Sequence, residues 1–111
     1  MLLEKTWKID DVCTIKMSTG EEVIAKITAS NDSSITISKP LVLQVGVDPS
    51  TNQPVLQMLP SFLFSAQRDA KLNINLNHVI TIAPSEENAK NSYISSTTNL
   101  AVPGKSSNLI R

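Results

Sequence analysis

The chain is poor in the residues that carry covalent and metal chemistry. Its 111 residues include one cysteine and one histidine, which excludes an internal disulfide and leaves a zinc site without its ligands. Cys13 falls in an apolar alternating run where a small buried hydrophobe is expected, and a lone free thiol points to a reducing compartment. Charge of one sign is missing too. Ten Lys and Arg balance ten Asp and Glu, so no net field gathers polyanions and any contact with them has to come from a local basic face. No apolar run approaches the roughly 18 residues of a membrane helix, and the opening MLLEKTWKIDD turns acidic too early for a signal peptide. The expected setting is the cytoplasm, without membrane association.

Catalysis by a nucleophile and a base needs a proton acceptor within hydrogen-bond reach, and the one histidine, His78, sits in a strand-like run among asparagines. The acidic pairs Asp10-Asp11, Glu21-Glu22 and Glu86-Glu87 are sequence neighbours, which in strands point to opposite faces and in turns stay solvated. No glycine-rich phosphate loop and no internal repeat is present. These absences predict a protein that binds or assembles rather than an enzyme, with no catalytic residue, metal or cofactor.

What is present is two-residue alternation. Leu2, Leu3, Trp7 and Ile9 recur at mixed spacing, which predicts a short N-terminal helix or an irregular arm over residues 1–10. Cys13, Ile15 and Met17 then alternate with Thr14 and Lys16, and Gly20 supplies a tight turn into a return strand over 22–29. The segment 31–34 reads as the next turn, and a third strand from Ile35 passes Pro40, an edge or bend signal, to continue through Leu41, Leu43, Val45 and Val47. Asp48 to Pro54 is the strongest turn signal in the chain, and Val55 to Phe64 returns across it, giving a long hairpin over 41–64. Leu72, Ile74 and Leu76, followed by Val79 to Ile82, form a fifth strand. The expected domain is an all-β unit over 11–84, a strongly bent five-stranded antiparallel sheet. Residues 85–111 are expected to be a polar, flexible tail, with one helical turn over 85–90 capped by Ser85 and two acids.

One run carries more than a generic hairpin. Met17, Gly20, Val23 and Ile27 hold the spacing of the first motif of the Sm and Sm-like (LSm) family, with Ala25 where that family prefers a second glycine. The run 74–82 resembles the second motif, with Asn75 and Leu76 in place of its Arg and Gly, and Asn77-His78 followed by Pro84-Ser85 is similar to the bacterial member Hfq. The chain is also similar to Sm-like proteins encoded by marine cyanophages, which would place it in a host cytoplasm.

The resemblance implies a small bent barrel whose fourth strand pairs with a neighbour's fifth, building a homo-oligomeric ring of roughly five to seven subunits. It also implies loops that line a pore and bind single-stranded RNA or DNA. Carried across residue by residue, the candidates are Asn31, Asp32 and Ser33 in one loop and Asn75, Asn77 and His78 in the other. Lys16, Lys26, Lys39, Arg68 and Lys71 are candidate phosphate contacts. Such pores usually stack bases on an aromatic or Arg plane, which these loops lack; their Asn and His side chains offer base-edge hydrogen bonds instead. The alternative is a structural or adaptor ring that docks a protein partner through the apolar arms of the hairpin, within a phage if the chain is phage-encoded.

Overall fold

The computed structural model describes residues 6–63, 66–67 and 69–101, the last three without side chains. Leu2, Leu3, Phe64, Arg68 and the end of the expected tail lie outside the described residues. Among the described residues, six strands and one helix follow in order: β1 (Val12–Met17), β2 (Glu22–Ser30), β3 (Ser34–Val47), β4 (Pro54–Leu59), β5 (Lys71–Asn75), β6 (Val79–Pro84) and α1 (Glu87–Ala101), with a 3-10 turn, Leu76–His78, between β5 and β6. All pairings are antiparallel, in the order β4-β3-β2-β1-β6, with β5 also on β3.

β4 and β5 are two halves of one strand. Both pair with β3, but Val42 faces Leu59 while Ser38 faces Lys71, so the three β3 residues 39–41 are spanned on the other side by the eleven residues 60–70. The expected fourth strand through Phe64 therefore stops at Leu59, ahead of Pro60, which brings no ladder donor. Phe62 in this insertion turns inward against the core. The expected fifth strand is likewise broken, by the 3-10 turn, which Asn75 caps by accepting from the Asn77 amide at 2.8 Å.

That three-residue turn forces the sheet to roll. Crossing from β5 to β6 through β3, β2 and β1 takes four strand spacings, roughly 19 Å if the sheet were flat. A 3-10 turn of this length covers only roughly 6 Å. The bend is localised where Ile24 pairs with Leu41 and Lys26 with Ser38, which leaves Ala25 facing both Lys39 and Pro40. Such bulges bend and twist the strand that carries them. Lys39 takes a φ of 51° there, and Pro40 gives no ladder donor. No ladder joins β5 to β6 among the described residues, so the barrel is rolled but not closed.

Rolling separates two cores. Inside lie Cys13, Ile15, Met17, Val23, Ala25, Ile27, Ile35, Ile37 and Val42, capped by Trp7 from the arm. Each Ile or Val removed from water contributes on the order of 1.5–3 kcal/mol. The arm is irregular over Thr6–Asp10, with Asp10 at a φ of 77°, so the helix expected over 1–10 is not seen among the described residues, and residues 1–5 lie outside them.

Outside lies a smaller cluster of Ile24, Leu41 and Tyr93, with Val12, Leu43, Met58 and Ala89 packed against it. It exists because residues 87–101 are helical, which corrects the expectation of a flexible tail over that stretch, while residues 102–111 lie outside the described residues. The segment is poor in apolar residues, but Ala89, Tyr93 and Thr97 fall four apart on one helical stripe. The sheet supplies the other half of the burial, and tertiary packing of one face is what holds most short helices. Tyr93 donates from its hydroxyl to the Ser38 carbonyl at 3.0 Å, and Thr97 donates to the Tyr93 carbonyl at 2.9 Å. The cap is also not the expected one. Glu86 Oε1 accepts from the Ala89 amide at 2.9 Å, while Ser85 is engaged with Thr14 through their hydroxyls at 2.9 Å.

Candidate nucleic-acid interface

The two loops singled out by motif spacing, 31–33 and 75–78, meet in space. Ser34 pairs with Asn75 across β3 and β5, and the Leu76 amide donates to the Ser33 carbonyl at 2.9 Å. The Ser18 amide donates to the His78 carbonyl at 2.8 Å, so the β1–β2 turn joins the same end of the sheet. All six candidate side chains, Asn31, Asp32, Ser33, Asn75, Asn77 and His78, are exposed.

Within this cluster the asparagines have different jobs. Asn31 Oδ1 accepts from the Ser33 and Ser34 amides at 2.8 and 2.9 Å, and from both serine hydroxyls at 3.2 and 3.3 Å. Asn75 Oδ1 holds the 3-10 turn. Both carbonyls are thereby committed to the backbone, which orients the two amide NH2 groups away from it as donors. Asp32, Asn77 and His78 have no side-chain partner among the described residues, so a carboxylate, an amide and an imidazole stand free at the surface. The constellation suits hydrogen bonding to base edges and sugar hydroxyls, and it holds no stacking platform.

The cationic candidates Lys16, Lys26 and Lys71 share the outer face of the sheet but do not gather in one patch. Lys26 lies opposite Ser38 on one side and Lys71 opposite Ser38 on the other, so two exposed lysines flank one serine on the outer surface. Lys39 follows at the bend. Lys71 is four residues up β5 from Asn75, roughly 13 Å at strand rise. Lys16 sits apart on β1, half-buried and opposite Glu22 and Thr81, where an acid already neighbours it. Arg68 lies outside the described residues.

Cys13 has no part in this surface. It is fully buried, and burial, aided by the charge of Asp11, pushes its thiol up to about 11, which leaves it protonated and inert at neutral pH. No group of three or more His, Cys, Asp or Glu side chains able to hold a metal ion occurs among the described residues. No described helix is long and apolar enough to cross a membrane.

Motif spacing missed a shallow groove of about 380 Å³ between α1 and β4, lined by Leu56, Met58, Ala89, Ser92 and Ser96 among others. Its only sequence signal was the four-residue spacing of Ala89, Tyr93 and Thr97.

A rolled sheet with this strand order, joined by a 3-10 turn and carrying two adjoining polar loops, is the architecture expected of Sm-like domains. The Sm-like domain family matches residues 14–94, and the chain belongs to that family. Its members generally form rings and bind RNA. No curated protein matches the chain.

Proposed function

We propose that this protein is a non-enzymatic, ring-forming subunit that binds single-stranded nucleic acid through the loops 31–33 and 75–78. The observation that carries this reading is the hydrogen bond from the Leu76 amide to the Ser33 carbonyl, which fuses both loops into one exposed polar surface. A ring also answers the fold's open edges. The outer edges of β6 and of the β4–β5 strand have no partner among the described residues, and unpaired edges invite a neighbour's strand. Pairing the β4–β5 edge of one copy with β6 of the next satisfies both and repeats the loops around a pore. The cytoplasm, of a host cell if the chain is phage-encoded, is the setting in which such a ring meets RNA.

Fluorescence anisotropy with short uridine-rich, adenosine-rich and DNA oligomers tests binding. Contacts from Lys26, Lys39 and Lys71 would give a log-log salt slope of about −2, at about 0.7 per phosphate. Absence of binding to all three oligomers at low salt overturns the reading and favours an adaptor ring, for which the bare apolar hairpin is the supporting observation. Light scattering tests the ring directly.

A further inference from the structure

The outer face of the β3–β4 hairpin keeps its apolar alternation past the point where α1 covers it. Leu43, opposite Met58, lies in the cluster under the helix. The next pairs on that face are Val45 opposite Leu56 and Val47 opposite Pro54, and Val45, Val47 and Leu56 are 71%, 60% and 59% exposed. The other face carries Gln44 opposite Gln57 and Gly46 opposite Val55. Alternation of this kind marks a strand with one buried face, so the stripe is patterned for a burial that a single copy does not supply. Between Leu41 and Leu63 the only charged side chain is Asp48. Exposed strands usually carry lysine or another charge that repels a second copy, and this one does not.

We infer that the stripe is a docking surface for a second copy of the chain, hairpin against hairpin, so that two rings stack back to back. The inference rests on the ring reading. A contact between identical patches about a two-fold axis requires a surface that does not repel itself, which an uncharged apolar stripe provides. Area decides between lone subunits and rings. Three side chains of this exposure offer roughly 300 Å², well short of the roughly 800 Å² each partner contributes to a stable interface. A ring of roughly five to seven copies presents the same stripe repeatedly, about 1,500–2,100 Å² on one side, which exceeds that requirement. The stripe lies at the far end of the 14-residue β3 from Ser34, so stacking leaves the loops 31–33 and 75–78 open.

Native mass spectrometry of the full chain without nucleic acid tests this. The expected wild-type mass is that of a doubled ring in multiples of 12.1 kDa. V45E/L56E, both at exposed positions, is expected to halve that mass while oligonucleotide affinity changes less than about twofold. V45T/L56Q serves as the milder variant should the acidic pair impair folding. Ammonium sulfate is expected to raise the doubled fraction, because it strengthens apolar burial. A wild-type single ring across the concentration range overturns the stacking and leaves the ring intact, whereas a wild-type monomer overturns the ring itself. Collapse of V45E/L56E to monomers would place the stripe in the lateral contact and also overturn the stacking.

Discussion

The outer face of the sheet has two halves built from the same kind of residue and treated differently. On one, Ile24, Leu41, Leu43 and Met58 lie beneath α1, and Tyr93 is driven into the gap between them. On the other, Val45, Val47 and Leu56 continue the same alternating register and face outward. The difference is not one of hydrophobicity but of reach. The stripe of α1 packs against the first two strand pairs and no further, so the covered half belongs to the stability of one copy. The bare half is left to contacts between copies.

The largest expected effect comes from breaking the covered half. Tyr93→Ala removes a buried ring and leaves a cavity, and aromatic-to-Ala changes in cores typically cost about 3–5 kcal/mol. Urea unfolding followed by circular dichroism should show that loss together with reduced helicity from detachment of α1. Tyr93→Phe removes only the hydroxyl bonded to the Ser38 carbonyl and is expected to cost about 1 kcal/mol. A loss below about 1 kcal/mol for Tyr93→Ala would mean that α1 is not held by this contact.

The same residue makes the covered half sensitive to alkali. Burial pushes the Tyr93 phenol up to about 12 from an ordinary 10. The folded state therefore holds this proton more tightly than the unfolded chain, so the stabilisation is complete below pH 10 and is lost as pH rises toward 12. A shift of that size corresponds to about 2–3 kcal/mol. Cys13, raised to about 11 from 9, acts in the same direction over a lower window. Stability measured between pH 8 and 12 should fall in both windows, and Tyr93→Phe should abolish the upper part alone. An unchanged alkaline profile in Tyr93→Phe would assign the loss to other groups.

The covered half was also the part hardest to read in the residues. Strands β1 to β3, the turns at Gly20 and Asn31 and the hairpin were legible because alternation and turn chemistry are local signals. The meeting of the loops 31–33 and 75–78 was legible only through motif spacing. The division of the fourth strand was not, since it depends on β4 and β5 both choosing β3, a pairing no local pattern specifies. Nor was α1, because a helix with one buried tyrosine and a threonine gains its stability from a sheet surface far away in sequence. The lysines were legible only as candidate phosphate contacts, and Lys16 stands beside Glu22 because strand pairing, not sequence spacing, chooses neighbours.

A contrast of intermediate size separates structure from binding at the loop end. Asn31→Ala removes the acceptor of two backbone amides and is expected to cost about 1–2 kcal/mol, whereas Asn31→Asp keeps that acceptor and loses the amide NH2 group. If the NH2 group contacts nucleic acid, Asn31→Asp should retain nearly full stability and lose oligonucleotide affinity several-fold. Equal affinity in Asn31→Asp and wild type would confine Asn31 to its turn.

The smallest expected effect on folding sharpens the comparison most, because it concerns residues as apolar as those under the helix. Val45→Thr replaces a methyl with a hydroxyl at a site 71% exposed, where little is desolvated on folding and the hydroxyl meets water. Substitutions at such positions usually change stability by no more than about 0.5 kcal/mol. Ile24→Thr, on the same face but fully buried, loses packing and buries a polar group, so it is expected to cost several-fold more. Both should be measured in wild type and in a Leu56→Glu background, in which an acid on the opposite strand is expected to hold the hairpins apart while position 45 stays free to vary. If Val45→Thr is near neutral where hairpins are apart and costly where they meet, the bare half derives its burial from a second copy. If it is costly in both, the stripe is already covered within one subunit or ring, and the two halves of the face do not differ in the way their exposure indicates.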